Sequence, residues 1–197
     1  MKNIKSFLTL LVVLLTLISC KQQQARMPIS RSSGEFLNAS VERNIKLNKN
    51  EENQIQAIIK SNPEVKYIGS KKGYWYHYET KNEIDSITPK KGDVAFFTYE
   101  IKDLKGNLIY SQEELKHQTY LVDKQNIMMG LRDGIKLMRK TEKVTFLFPS
   151  NMAFGYHGDN DKIGANEPLI CTVTLNDFKL DTTPKKQNST PKLVTPE

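Results

Sequence analysis

The sequence contains none of the short motifs that mark common hydrolases, nucleotide-binding enzymes and metalloproteases. It has no Gly-x-Ser-x-Gly elbow, no Gly-rich phosphate loop and no His-Glu-x-x-His. Its three histidines, His77, His117 and His157, are forty residues apart from one to the next, so a shared site would require distant parts of the chain to meet. We therefore expect no metal, no cofactor and no catalytic nucleophile.

A calcium-binding loop is also not expected, although one segment begins like one. Asp159-Asn-Asp161 and Gly164 have the right spacing for the start of such a loop. Ile163 and Ile170 stand where an oxygen ligand and the closing glutamate are required. These aliphatic side chains cannot coordinate calcium, so we assign the segment no metal.

Cysteine is scarce, and the first of the two cysteines ends an apolar segment at the N-terminus. Lys2 and Lys5 precede an apolar run from Phe7 to Ile18, which is too short to span a bilayer but suits a secretory signal. Leu17-Ile-Ser-Cys20 resembles the lipobox of bacterial lipoproteins, in which cleavage leaves the cysteine as the lipidated N-terminus. An ordinary cleaved signal or a short anchor are the alternatives.

The lipid-anchor prediction has consequences for partners and location. Cleavage before Cys20 lowers the net charge from +7 to +5, and the remaining positive charge favours anionic headgroups. Cys171 is then the only thiol, so we expect no internal disulfide and a buried cysteine. We expect a cell-envelope protein on the inner or outer membrane. Nucleic acid is not an expected partner, because acids intersperse the basic residues and the chain is exported.

Composition favours one globular domain flanked by tails. Of the 197 residues, 38% are apolar and 26% are charged, as in ordinary soluble domains. We predict a signal peptide (1–19), a flexible tether (20–34), a helical segment (35–63), a folded domain (64–180) and a disordered tail (181–197).

The predicted helical segment has an apolar stripe made by Ile55, Ile58 and Ile59. Asn48 with Glu51 three residues later is similar to a capping box, so we predict a helix start there. The helix should stop near 61–63, because proline disfavours a helical residue before it. The stripe could dock on the sheet of the same chain or on a second copy of the helix.

The domain itself is predicted to be α+β, a largely antiparallel sheet with one short helix crossing it. Ile127, Leu131, Ile135 and Met138 recur at helical spacing, and the glycines 130 and 134 share a face on which the backbone could closely approach a strand. Alternation predicts strands at 74–78, 94–101, 108–110, 119–122, 144–148 and 169–178.

An ordered set of segments resembles one enzyme family. The residues are Pro89-Lys-Lys-Gly-Asp93, Tyr99, Gly106, the run 124–138, Pro149-Ser-Asn-Met-Ala-Phe-Gly155 and Ile163. They resemble the FKBP family of peptidyl-prolyl cis-trans isomerases across about 88–180. The resemblance implies an FKBP-like antiparallel half-barrel sheet wrapped around one short helix, with an N-terminal helical extension and a shallow apolar pocket.

The whole chain is also similar to the GldI family of gliding-motility lipoproteins in Bacteroidetes. This likeness rests on the lipobox and the upstream helix together with the FKBP-like segments. It implies a domain in the periplasm, proline-containing polypeptides as clients, and cell-envelope motility proteins as partners.

The resemblance also implies which residues form the pocket. As catalytic residues it implies Tyr99, Ile127, Met128, Leu131, Phe154 and Ile163, with the Met128 backbone amide as a hydrogen-bond donor. It implies Ser111, Gln118 and Cys171 as further pocket residues.

Five of these positions depart from the family pattern. Leu131 replaces the usual tryptophan, Phe154 replaces a tyrosine, Ser111 replaces an acid, and Gln118 and Cys171 replace aromatic residues. Three interpretations follow. The chain is an isomerase that folds exported proteins, or a catalytically weak or inactive FKBP-like chaperone or binding module of a cell-envelope machine. The third is a structural lipoprotein that dimerises through its N-terminal helix.

Overall fold

A computed structural model describes residues 31–182, with side chains from residue 37 onward. Its elements are α1 (Arg31–Ser61), β1 (Ile68–Gly69), β2 (Trp75–Thr80), β3 (Val94–Asp103), β4 (Leu108–Tyr110), α2 (Gln112–Leu115), β5 (Gln118–Leu121), α3 (Met129–Gly134), β6 (Lys143–Phe148) and β7 (Leu169–Lys179), with 3-10 turns at Ile135–Leu137, Ser150–Met152 and Gly155–His157. The predicted signal peptide, Cys20, and most of the predicted tether and tail lie outside the described residues.

The seven strands form one antiparallel sheet. Its order is β1-β2-β6-β7-β3-β4, and β5 pairs with the part of β3 that β4 leaves uncovered. The six strands predicted from alternation are present with ends within two residues, and the α+β prediction is confirmed. Strand β1 and helix α2 were not predicted, because two-residue and four-residue elements are too short to show a period.

The core lies between one face of the sheet and helix α3. Phe146 and Phe148 of β6 point to this face and stack with ring centroids 5.2 Å apart. A Cβ on Gly130 would lie 2.5 Å from the Phe148 ring, and one on Gly134 would lie 2.8 Å from the Phe146 ring. The predicted close approach at these two glycines is therefore confirmed, and it brings the helix backbone onto the two rings.

Helix α3 is shorter than predicted from its apolar stripe. It spans Met129–Gly134 and continues as a 3-10 turn, so Ile127 precedes it instead of starting it. Met128 has extended backbone angles, φ −45° and ψ 131°, and no side chain caps the helix at this residue. Two glycines lower helix propensity in this segment, and the tighter 3-10 hydrogen bonds close its last turn.

Helix α1 is one continuous helix of 31 residues that covers the predicted helical segment up to Ser61, and the capping-box likeness at Asn48 does not mark its start. Asn48 lies in its interior, and the Glu51 carboxylate bonds to Ser150 instead of capping the helix. The helix begins at Arg31, inside the range predicted as tether. It ends at Ser61 as expected before Pro63, where the Asn62 side chain donates to the Ile58 carbonyl at 2.8 Å.

The contacts of the chain divide within α1, between Glu42 and Arg43. The part of α1 after this division contains Ile55 of the predicted stripe, which is fully buried. Docking of this part of the helix on its own chain therefore agrees with the structure. No helix among the described residues is both long and apolar enough to cross a membrane.

Candidate functional site

Four of the predicted site residues are half-buried and pack against the hydrophobic core, and we call this set the rim. These are Tyr99 on β3, Ile127 and Met128 before α3, and Phe154 after the Ser150–Met152 turn. Each packs against the buried cluster and keeps part of its side chain accessible. Part of each of these four side chains is therefore open to solvent.

Three other predicted residues are buried in the core cluster. Leu131 and Ile163 are each 3% exposed, and Cys171 is 0% exposed. Burial raises the pKa of the Cys171 thiol, so the group stays protonated and unreactive at ordinary pH. These three buried side chains are called the floor below.

The Met128 backbone has the geometry required of a donor. Its carbonyl accepts from the Arg132 N–H at 3.1 Å, within the first turn of α3. Its own N–H donates to no acceptor among the described residues. A donor at a helix start without an intrahelical partner can bond a ligand carbonyl.

Tyr99 supplies a neutral hydroxyl on the same rim. Its ring lies against Phe97, with centroids 5.5 Å apart, and its backbone is paired with Val173. Burial raises the pKa of Tyr99, and the neighbouring Cys171 adds to the shift. The hydroxyl stays protonated at neutral pH and makes no hydrogen bond within residues 37–182, so it is available as a donor.

Ile163 is held by an aspartate turn. The Asp159 carboxylate accepts from the N–H groups of Asp161 at 2.9 Å and Ile163 at 2.8 Å, and the Asp159 N–H donates to the Ile163 carbonyl at 3.1 Å. The Tyr110 hydroxyl donates to the same carboxylate at 2.5 Å. The acidic residues that begin like a calcium loop are thus used in bonds within the protein.

The charge of Asp159 matters to this turn. Burial alone would raise the pKa of Asp159, but hydrogen bonds from Tyr110 and from two backbone N–H groups outweigh it and hold the pKa below its usual value. The Tyr110 pKa is raised, chiefly by its bond to Asp159 and then by burial. Sequence reasoning missed Tyr110, whose only signal was an aromatic residue at the end of a strand.

Ser111 and Gln118 have their polar groups engaged close by in the chain. The Ser111 hydroxyl caps α2 by accepting from the Glu114 N–H at 3.3 Å. The Gln118 side chain donates to the Leu115 carbonyl. The backbone of Gln118 pairs with Phe97, so its side chain shares the face of β3 that carries Tyr99.

Among residues 37–182, no group of three or more His, Cys, Asp or Glu side chains is arranged to hold a metal ion. The chemistry available on the rim is that of apolar surface, one phenolic hydroxyl and one backbone N–H. Such a set can bind and desolvate a peptide but supplies no base or nucleophile.

Comparisons with known proteins agree with this geometry. Residues 85–176 match the family described as FKBP-type peptidyl-prolyl cis-trans isomerase. Over 98 residues the chain is 26% identical to the Probable FKBP-type peptidyl-prolyl cis-trans isomerase FkpA of Neisseria meningitidis serogroup B; the match covers 50% of this chain and 36% of that protein.

A solved structure shares the fold. The crystal structure of FkpA from Escherichia coli superposes with a TM-score of 0.55 at 21% identity, covering 87% of this chain and 81% of the other. The aligned region thus spans little more than a third of the Neisseria protein but most of the Escherichia structure.

Proposed function

Because residues 85–176 form an FKBP-type peptidyl-prolyl cis-trans isomerase domain, we propose that this chain accelerates the isomerisation of X-Pro bonds in exported polypeptides. One observation carries the proposal. Four predicted pocket residues, Tyr99, Ile127, Met128 and Phe154, pack against the apolar core with part of each side chain accessible, and the Met128 N–H donates to no acceptor among the described residues.

Such a site can catalyse this reaction without a nucleophile. The barrier to rotation is about 20 kcal/mol because twisting the bond removes amide resonance. Water stabilises the planar, charge-separated amide, so an apolar site that excludes water lowers the barrier. Each tenfold acceleration requires only about 1.4 kcal/mol.

Each residue has a separate task in this mechanism. The proline ring rests on the floor made by Leu131 and Ile163, where water is excluded. The Met128 N–H donates to a client carbonyl and fixes the peptide in register. The Tyr99 hydroxyl donates to a second carbonyl, and the Phe154 ring closes the side of the pocket.

Isomerisation of a short X-Pro peptide by the full chain, purified in mild detergent, tests the proposal. We expect acceleration above the uncatalysed rate, and its loss in Met128→Asp, because a carboxylate draws water onto the rim. Met129→Asp is the matched control, since Met129 is 56% exposed and belongs to no part of the site. If the folded chain gives no acceleration with several residues before proline, the isomerase proposal is wrong.

A second function, that of a binding or chaperone module with weak catalysis, is favoured by two residues. Phe154 carries no hydroxyl. Leu131 is aliphatic, so it does not provide the aromatic pocket floor that is usual in the family. Aggregation of an unfolded client separates the two functions. A chain that suppresses aggregation stoichiometrically, with no effect on the X-Pro rate, would be a binding module alone.

The location of the chain is a separate proposal that rests on Leu17-Ile-Ser-Cys20 and the short apolar run before it. We propose a lipid anchor at Cys20 that holds the domain in the periplasm. Mass spectrometry of the mature N-terminus should find a diacylated cysteine, and Cys20→Ser should release the chain from membranes. A Cys20→Ser chain that stays in the membrane fraction would contradict the anchor.

Participation in gliding motility is the most specific part of the proposal and rests on the likeness to the GldI family. Deletion of the gene in a gliding host should abolish colony spreading, and the wild-type gene should restore it. Complementation with Met128→Asp then shows whether movement requires isomerisation. If the deletion strain spreads normally, the motility role is wrong.

A further inference from the structure

A buried carboxylate connects helix α1 to the loop that carries Phe154. Glu51 is 2% exposed, although glutamate is almost never buried without partners. Its carboxylate accepts from the Ser150 N–H at 2.8 Å and from the Ser150 hydroxyl at 2.7 Å. Burial of a carboxylate is costly unless such bonds are made, so this position has a specific structural role.

Ser150 begins the 3-10 turn Ser150–Met152, and its N–H is one of the donors that a helix start leaves without an internal partner. Pro149 precedes it and carries no polar side chain with which to cap the turn. The Glu51 carboxylate therefore replaces the missing cap from an element that lies 99 residues away in sequence. The turn is consequently fixed against α1.

The turn leads directly into the rim of the site. The Ala153 N–H donates to the carbonyls of Pro149 at 3.1 Å and Ser150 at 3.0 Å, and the next residue is Phe154. The Met152 side chain is buried in the core, so the turn is held at its last residue as well as at Ser150. A shift at Ser150 must therefore move Ala153 and, with it, the ring of Phe154.

We propose that Glu51 is a positioning residue of the isomerase site, acting through Ser150 on Phe154. The inference rests on the proposed function, and it makes α1 a part of the catalytic unit. Glu51 does not touch the client peptide. Its loss leaves two buried polar groups of Ser150 unpaired, which the turn can satisfy only by moving toward water.

The test is a double-mutant cycle of Glu51→Ala and Phe154→Ala on the full chain, read as kcat and KM for an X-Pro peptide. We expect Glu51→Ala to lower kcat/KM about tenfold, since small misplacements of site residues have effects of this size or greater. In the Phe154→Ala background it should change kcat/KM by less than about twofold. Equal losses in the two backgrounds would overturn the inference.

Three further variants make the test decisive. Glu52→Ala is the matched control, because its side chain is exposed on the next position of the same helix. Glu51→Gln should restore most of the activity, since an amide can accept from the Ser150 N–H and donate to the Ser150 hydroxyl. If Glu51→Ala does not fold at the assay temperature, Ser150→Ala removes one of the two bonds and should give an intermediate loss.

The outcomes separate this inference from the proposed function. If the wild-type chain is inactive, both the proposed function and this inference are wrong. If the wild-type chain is active and Glu51→Ala has the same activity, only this inference is wrong. If Glu51→Gln is as inactive as Glu51→Ala, the role of Glu51 depends on its charge, and positioning by hydrogen bonds alone is wrong.

Discussion

The backbone of Gly130 lies against the ring of Phe148, so closely that a Cβ on the glycine would come within 2.5 Å of Phe148 Cε1. The ring cannot easily retreat. It is fully buried, it stacks on Phe146 with centroids 5.2 Å apart, and it meets Tyr74 edge-on at 5.3 Å. This contact sets how far α3 can approach the sheet.

Gly130→Ala should therefore destabilise the protein, although alanine is the better helix former. Overpacking of a core costs about 1 to 3 kcal/mol, and the gain in helix propensity returns about 1 kcal/mol. We expect the free energy of unfolding in urea to fall by up to about 2 kcal/mol. In a Phe148→Leu background, where the ring is gone, the same change should cost less. An equal cost in both backgrounds would show that the ring is not the obstacle.

Phe154→Tyr should raise the isomerase activity. The resemblance places a tyrosine hydroxyl at this position in typical members, and the half-buried Phe154 leaves the ring edge accessible. One hydrogen bond made in the transition state corresponds to about 1 kcal/mol, so kcat/KM should increase roughly fivefold. Tyr99→Phe removes the other rim hydroxyl and should lower kcat/KM. If Phe154→Tyr leaves kcat/KM unchanged, the missing hydroxyl does not limit catalysis.

Tyr110→Phe should destabilise the protein in a pH-dependent way. The pKa of Asp159 is lowered in the folded chain, so its ionised form favours folding at every pH above its ordinary pKa of about 3.9. That contribution is lost as the pH falls through the folded pKa. Removing the Tyr110 hydroxyl should cost about 1 kcal/mol at pH 7, and the difference from wild type should shrink below about pH 4.

Urea unfolding at neutral and acidic pH measures this difference. Tyr156→Phe is the matched control, because Tyr156 is an exposed tyrosine of the neighbouring turn and should show no such dependence. A Tyr110→Phe penalty that is the same at pH 7 and at pH 3 would contradict the role of the Asp159 charge.

The Cys171 thiol should resist alkylation in the folded protein. It is fully buried and its pKa is raised by burial, so both access and the thiolate fraction are low. Iodoacetamide at pH 8, followed by peptide mass spectrometry, should label Cys171 only after unfolding in guanidinium chloride. Stability should also fall as the pH rises past about 8.5, because only the unfolded thiol then ionises. Rapid labelling of the native protein would show that the floor of the site is open.

Sequence patterns predicted the strands and the close contact of α3 because both depend on local periodicity. Alternation is enough to locate β3, and two glycines four residues apart indicate a face where side chains are excluded. The bond between Glu51 and Ser150 could not be predicted in this way. Asn48 and Glu51 have the spacing of a helix start, and only a partner distant in sequence shows that the carboxylate is used elsewhere.

The site was predicted only in part, because some of its residues act through contacts between segments that are distant in sequence. The resemblance supplied Ile127, Met128 and Phe154, each of which is half-buried against the core. It did not supply Tyr110, because that residue acts through a hydrogen bond to Asp159, and such pairing leaves no pattern in either segment. It implied a pocket wall at Cys171, whose complete burial depends on how the sheet folds over α3 and leaves no local pattern in the sequence.

The two longest strands, β3 and β7, lie inside the sheet, and the strands at its edges have only two to four residues. On the outer side of β3, β5 pairs with Val94 to Phe97 and β4 pairs with Ile101 and Lys102, which leaves the short stretch Thr98 to Glu100 between them. Unfolded polypeptides aggregate by adding strands to long, unpaired sheet edges. For the isomerase proposed above, which would meet unfolded polypeptides through side-chain contacts, these short edges would offer a client very little backbone to pair with and would limit co-aggregation.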